Sequence, residues 1–120
     1  MTIRQLHHVQ LAVPAGGEER ARQFYGNVLG FREVAKPAQL AARGGCWFVC
    51  GESALHLGVE SDFTPARKAH PAFLVSGLSA LAARLASLGY PVTEDLPLEG
   101  YRRFYTADPF GNRIEFLEEL

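Results

Sequence analysis

The chain has 120 residues, enough for one domain with a real core. Twelve basic residues against thirteen acidic ones leave a net charge of -1, so no basic face is expected for nucleic acid. The longest uncharged run, residues 69–83, is too short to span a bilayer, and residues 1–13 lack a signal-peptide pattern; a cytoplasmic protein without a membrane partner is the expectation.

The first element is "HVQLAV", residues 8–13. Val9, Leu11 and Val13 fall on one face and His8, Gln10 and Ala12 on the other, as in a half-buried strand. "PAGG" breaks the chain. "EERARQFYGNVLG" then places Ala21, Phe24, Tyr25, Val28 and Leu29 at helical spacing, with Gly30 as the C-terminal cap. Three strands are expected next, at about 31–36, 45–50 and 53–59. If 46–50 is a strand, Cys46 and Cys50 share a face but lie roughly 13 Å apart. That is too far for a disulfide, so two buried free thiols are expected.

The layout then repeats. "SDFTPARKA", residues 61–69, reads as a linker. "HPAFLV", residues 70–75, is a strand with Phe73 and Val75 on one face. "LSALAARLASLG" carries Leu78, Leu81, Ala82, Leu85 and Leu88 as a helical stripe ending at Gly89. Strands are expected at about 91–95, 101–107 and 113–118. "DPFG", residues 108–111, has the residues of a type I turn. Each half therefore reads β-α-β-β-β, over about 4–60 and 68–120, and the fold class is α+β within a single domain.

The repeat supports a test. Counting the same distance from the two capping glycines, Gly30 leads to His56 and Gly89 leads to Glu115. Leu55 and Leu57 flank His56, and Ile114 and Phe116 flank Glu115. Alternation puts those apolar neighbours against the helices and turns His56 and Glu115 the other way. His8 and His70 have the same parity. A lone histidine on a strand is more often a satisfied polar residue than a ligand. Three imidazoles and a carboxylate at matched positions of a repeat instead suggest one shared metal site. Such donors suit Zn, Ni, Co, Fe or Mn and do not distinguish among them.

The chain resembles the vicinal oxygen chelate superfamily, which includes glyoxalase I, fosfomycin-resistance enzymes, extradiol dioxygenases and bleomycin-resistance proteins. The resemblance spans the whole chain. It is carried by "HHVQLAV" (7–13), "FYGNVLGF" (24–31), "HPAFLV" (70–75) and above all "DPFGNRIEF" (108–116). It implies two βαβββ modules forming a curved mixed sheet around a cup, with ligands from the first and last strands of each module. At the matching positions these are His8, His56, His70 and Glu115. His7 competes with His8, but it is in phase with the apolar Val9 and Leu11.

The resemblance further implies that one divalent metal chelates two neighbouring oxygens of a small-molecule substrate, with Glu115 as the catalytic base. One departure stands out: glyoxalase I commonly has glutamate where this chain has His56. Without His56, the remaining two-His, one-carboxylate set is that of iron(II) oxygenases. The resemblance also implies a homodimer, and open sheet edges need cover on physical grounds as well.

Substrate-contact candidates are weaker. Arg43 or Arg103, or its neighbour Arg102, would suit an anionic substrate, and Tyr105, Tyr101, Phe104 and Trp47 would line a pocket. The segments expected to select the substrate, 37–45 and 96–103, carry no recognisable motif. Three readings compete: a metal-dependent lyase, isomerase, thiol transferase or dioxygenase; a metal-free protein that sequesters a small molecule, as bleomycin-resistance proteins do; and a structural remnant with no activity.

Overall fold

In the computed structural model, which describes residues 1–120, the chain divides into two units, Met1–Thr64 and Pro65–Leu120. The first holds β1 (His8–Val13), α1 (Glu18–Ala21), a π-helix that continues α1 over Arg22–Val28, β2 (Arg32–Val34), α2 (Ala38–Ala41), β3 (Cys46–Cys50) and β4 (Ser53–Val59). Its four strands run in the order β1-β4-β3-β2, with β1 parallel to β4 and the other neighbours antiparallel. Val13, Leu55, Leu57 and Phe48 bury one face of this sheet with Ala21, Phe24 and Tyr25 of the helix.

The helix expected over 18–30 forms, but most of it is a π-helix. Its wider turn lets the neighbours Phe24 and Tyr25 both be fully buried. Their rings meet edge to face with centroids 4.9 Å apart, and Tyr25 lies 5.8 Å from Phe48. The strand expected at 31–36 is only three residues long. Cys46 is buried, whereas Cys50 is only half-buried, so the expectation of two buried thiols holds for the first alone; both are free.

The second unit holds β5 (Ala72–Leu74), α3 (Leu78–Ser87), β6 (Tyr101–Ala107) and β7 (Arg113–Glu119), in a sheet ordered β5-β7-β6. Strand β5 is parallel to β7, and β6 is antiparallel to it. Phe104, Ile114 and Phe116 form a buried core with Leu78 and Leu85 of α3. Leu88 was expected in that stripe but is 52% exposed, because it lies past the last helical turn. The strand expected at 91–95 is reduced to a single bridge in which Thr93 and Tyr105 exchange both backbone hydrogen bonds. Pro91 has no N–H to extend the ladder, and the Asp95 carboxylate accepts the Leu96 N–H at 2.7 Å and turns the chain away.

Both helix ends follow the sequence. Gly30 and Gly89 take positive φ of 80° and 88°, the left-handed conformation that closes a helix C-terminus. At the start of α3 the Glu118 carboxylate accepts the Gly77 N–H at 2.6 Å and the Leu78 N–H at 3.4 Å. These backbone donors, with Arg102 at 2.5 Å, hold the Glu118 carboxyl below its usual range. The 108–112 turn closes around buried Asp108, which accepts from the N–H groups of Phe110 and Asn112, both at 2.9 Å, and from Asn112 Nδ2 at 3.0 Å.

Candidate metal and substrate site

In the first unit, the β1–β4 register sets Gln10 opposite His56, and the β3–β4 register sets Trp47 opposite His56. Directly paired residues share a face, so His8, Gln10, Trp47 and His56 lie together, away from the buried leucines. The His56 ring is clamped between two others. It stacks on Trp47 with centroids 3.8 Å apart and planes 3° apart, and on His8 at 4.1 Å and 19°. A ring held by both faces can offer donors only at its edge, in its own plane. Burial pushes the His56 pKa down, and the neighbouring His8, His7 and Lys36 push it further in the same direction. That favours the neutral imidazole a metal requires. His7 approaches His8 rather than His56, with the two Nδ1 atoms 2.9 Å apart.

In the second unit, Glu115 on β7 is buried. Its Oε1 lies 3.0 Å from Nε2 of His70, which precedes β5, and its Oε2 lies 3.3 Å from Nη1 of Arg103 on β6. His70 Nδ1 lies 2.8 Å from the Lys68 carbonyl, which can only accept, so Nδ1 carries the donated proton. The other nitrogen, Nε2, then faces a carboxylate oxygen. Two lone pairs cannot rest at that distance unless a cation, a proton or a metal, lies between them. Donors bound about 2.0–2.1 Å from one tetrahedral metal lie roughly 3.3 Å apart, close to this spacing. The backbone bond to Nδ1 also fixes the ring, as commonly seen for histidine ligands.

The structure brings the four expected ligands together only as two pairs, His8 with His56 and His70 with Glu115, and gathers no group of three or more side chains that could hold a metal. The donor types of both pairs suit a divalent metal, but the near-parallel planes of His8 and His56 do not converge, so both can bind one ion only if a ring turns out of the stack.

Arg103 is heavily engaged. Besides Glu115, it donates to the Tyr105 hydroxyl at 2.8 Å and to the Leu96 carbonyl at 3.1 and 2.8 Å. Tyr105 also lies under the Arg113 guanidinium, 3.7 Å from the ring centre. Arg102 is paired with Glu118, and Phe104 is a core residue. Arg43 is exposed and lines a pocket of about 270 Å³ with Lys36, Gln10 and Trp47. Gln10 and Lys36 were not singled out from sequence. Gln10 was within reach of such a reading, since it shares parity with His8. Lys36 was not, because nothing local says where residues 35–45 turn.

The family model described as the Glyoxalase/Bleomycin resistance protein/Dioxygenase superfamily matches residues 5–116. A putative glyoxalase family protein from Bacillus anthracis is 48% identical, with a TM-score of 0.95 over 100% of this chain and 98% of that one. A glyoxalase/dioxygenase from Nostoc punctiforme is 23% identical (TM-score 0.79, 98% and 92% covered). A genomically encoded fosfomycin resistance protein from Listeria monocytogenes is 17% identical (TM-score 0.75, 99% and 94% covered). The last two likenesses are of fold. No curated protein matches the chain.

Proposed function

Since this chain belongs to the glyoxalase/bleomycin resistance protein/dioxygenase superfamily, we propose that it is a metal-dependent enzyme acting on a small oxygenated substrate, with His8, His56, His70 and Glu115 as the ligands of one divalent metal. The observation that supports the reading is the His70–Glu115 pair, whose Nε2 and Oε1 atoms face each other 3.0 Å apart, a spacing that either a shared metal or a shared proton satisfies. Such a metal, when bound, polarises neighbouring substrate oxygens and stabilises charge that develops on them.

The chain's own residues supply the rest. Glu115 takes a proton from the substrate, and the carboxylate is suited to this because it is buried and fixed at both oxygens. Arg103 holds Oε2 and is itself held by the Leu96 carbonyl and the Tyr105 hydroxyl, so it positions the base. Stacking on Trp47 holds the His56 imidazole in place.

Metal content tests this reading. Wild-type protein purified without chelators should carry about one divalent ion per four-residue set. His8→Ala, His70→Ala and Glu115→Ala should each lose most of it. Stoichiometric metal retained in all three would reject the assignment. A second reading rests on the same pair: with a proton in the gap, the Arg103–Glu115–His70 array is complete, as a metal-free binding protein would require. Absence of metal under every loading condition selects it.

A further inference from the structure

The pocket beside Trp47 has a chemistry of its own. It is lined by Arg43, Lys36, Gln10, Trp47 and Gly58. Two cations thus line one pocket. Arg43 makes no ion pair or hydrogen bond there, and Lys36 donates only to the Gly44 carbonyl, which leaves two ammonium hydrogens. Glu18, which approaches the same Gly44–Gly45 turn, has its Oε2 on the Gly45 N–H at 3.1 Å. Gly58 makes room for the amide: a Cβ there would lie 2.6 Å from Gln10 Nε2. The larger pocket of the second unit, about 340 Å³, differs in kind. Its arginines, Arg102 and Arg103, are already paired with Glu118 and Glu115, and Glu94 and Asp95 line it too.

We propose that Arg43, Lys36 and Gln10 form an oxyanion subsite that takes the carboxylate, phosphate or phosphonate end of the substrate. This rests on the functional reading above, since Gln10 and Trp47 belong to the same face as His8 and His56. A substrate whose oxygens approach those imidazoles would lay its body along Trp47 and its charged end against Arg43. Arginine's planar fork matches the geometry of such an anion. A volume of about 270 Å³ lies just below the roughly 300–1,000 Å³ of pockets that enclose a whole drug-sized ligand, so it suits an end group.

Trp47 lines the pocket and is the chain's single tryptophan, so its fluorescence reports occupancy. The test uses metal-free wild-type protein titrated through the millimolar range, at constant ionic strength, with inorganic phosphate, methylphosphonate or acetate. Because no metal is present, failure here is distinct from failure of the ligand assignment. A saturable response to at least one anion is expected. Its dissociation constant should rise at least about tenfold in Arg43→Ala, partly recover in Arg43→Lys, and stay unchanged in Arg67→Ala, which removes an exposed cation of the other unit. Response to phosphate and methylphosphonate alone makes the group phosphoryl; response to acetate alone makes it a carboxylate. The absence of a saturable response to all three anions overturns the proposal, as does equal affinity in Arg43→Ala and wild type. Circular dichroism establishes that the variants are folded.

Discussion

Glu115 is the residue on which chemistry and structure are easiest to separate. Glu115→Gln keeps the shape and one oxygen, but removes the charge that faces His70 and Arg103. If the residue is the base, turnover measured at saturating metal should fall by roughly 10²–10⁴-fold, the usual worth of general base catalysis. A loss of only a few-fold would leave Glu115 as a ligand alone. Cys46 makes a prediction of a different kind. Burial, with smaller help from Glu33, pushes its thiol up to about 11 from an ordinary value of 9.0. The folded state thus keeps a proton that the unfolded chain releases. This contribution is complete below pH 9 and should be lost as pH rises toward 11. Denaturant titrations across that range should show the decline in wild type and a weaker one in Cys46→Ala.

Among the elements, α3 is held at its two ends by different means, and each can be tested. At its C-terminus, a Cβ on Gly89 would meet nothing within 4 Å, so Gly89→Ala carries only the conformational cost of φ 88°. That cost is about 1–2 kcal/mol, readable as a lower denaturation midpoint. At its N-terminus, the lowered Glu118 carboxyl stabilises the fold above its usual pKa. The contribution should fade as pH falls below 4.5 and Glu118 takes up a proton, and Glu118→Gln should flatten that part of the acid profile. The 108–112 turn orients β7, the strand that carries Glu115. Asp108→Ala strips three N–H groups of their acceptor and should destabilise the protein by roughly 1.5–3 kcal/mol.

At the scale of the whole molecule, both sheets are open, and each leaves strands at its edges: β1 and β2 in one, β5 and β6 in the other. Leu74, on β5, is 60% exposed, and Leu96 is 77% exposed. Unpaired edges and exposed leucines favour association with a second copy. Light scattering at micromolar concentration should therefore give twice the chain mass of 13.2 kDa; a species of the single-chain mass would contradict this.

What the sequence determined by itself is what depends on neighbours in the chain. Alternation around His8, His56 and Glu115 assigned their faces, because strand side chains alternate whatever the partner strand is. Gly30 and Gly89 marked both helix ends, because a left-handed residue is a local requirement. The Asp-Pro-Phe-Gly-Asn turn was legible for the same reason. The tertiary structure decided everything that depends on distant residues. The π-helix over Arg22–Val28 forms where Phe24 and Tyr25 both pack inward, with Tyr25 against Phe48, a contact between elements far apart in sequence. The strand expected at 91–95 lost its ladder to Pro91 and to the Asp95 side chain. The clamping of His56 between Trp47 and His8 comes from strand order and register across β1, β4 and β3. The charge balance of the arginines followed the same rule. Arg103 and Arg43 look alike in sequence, but only packing sets one against Glu115 and leaves the other beside an open pocket.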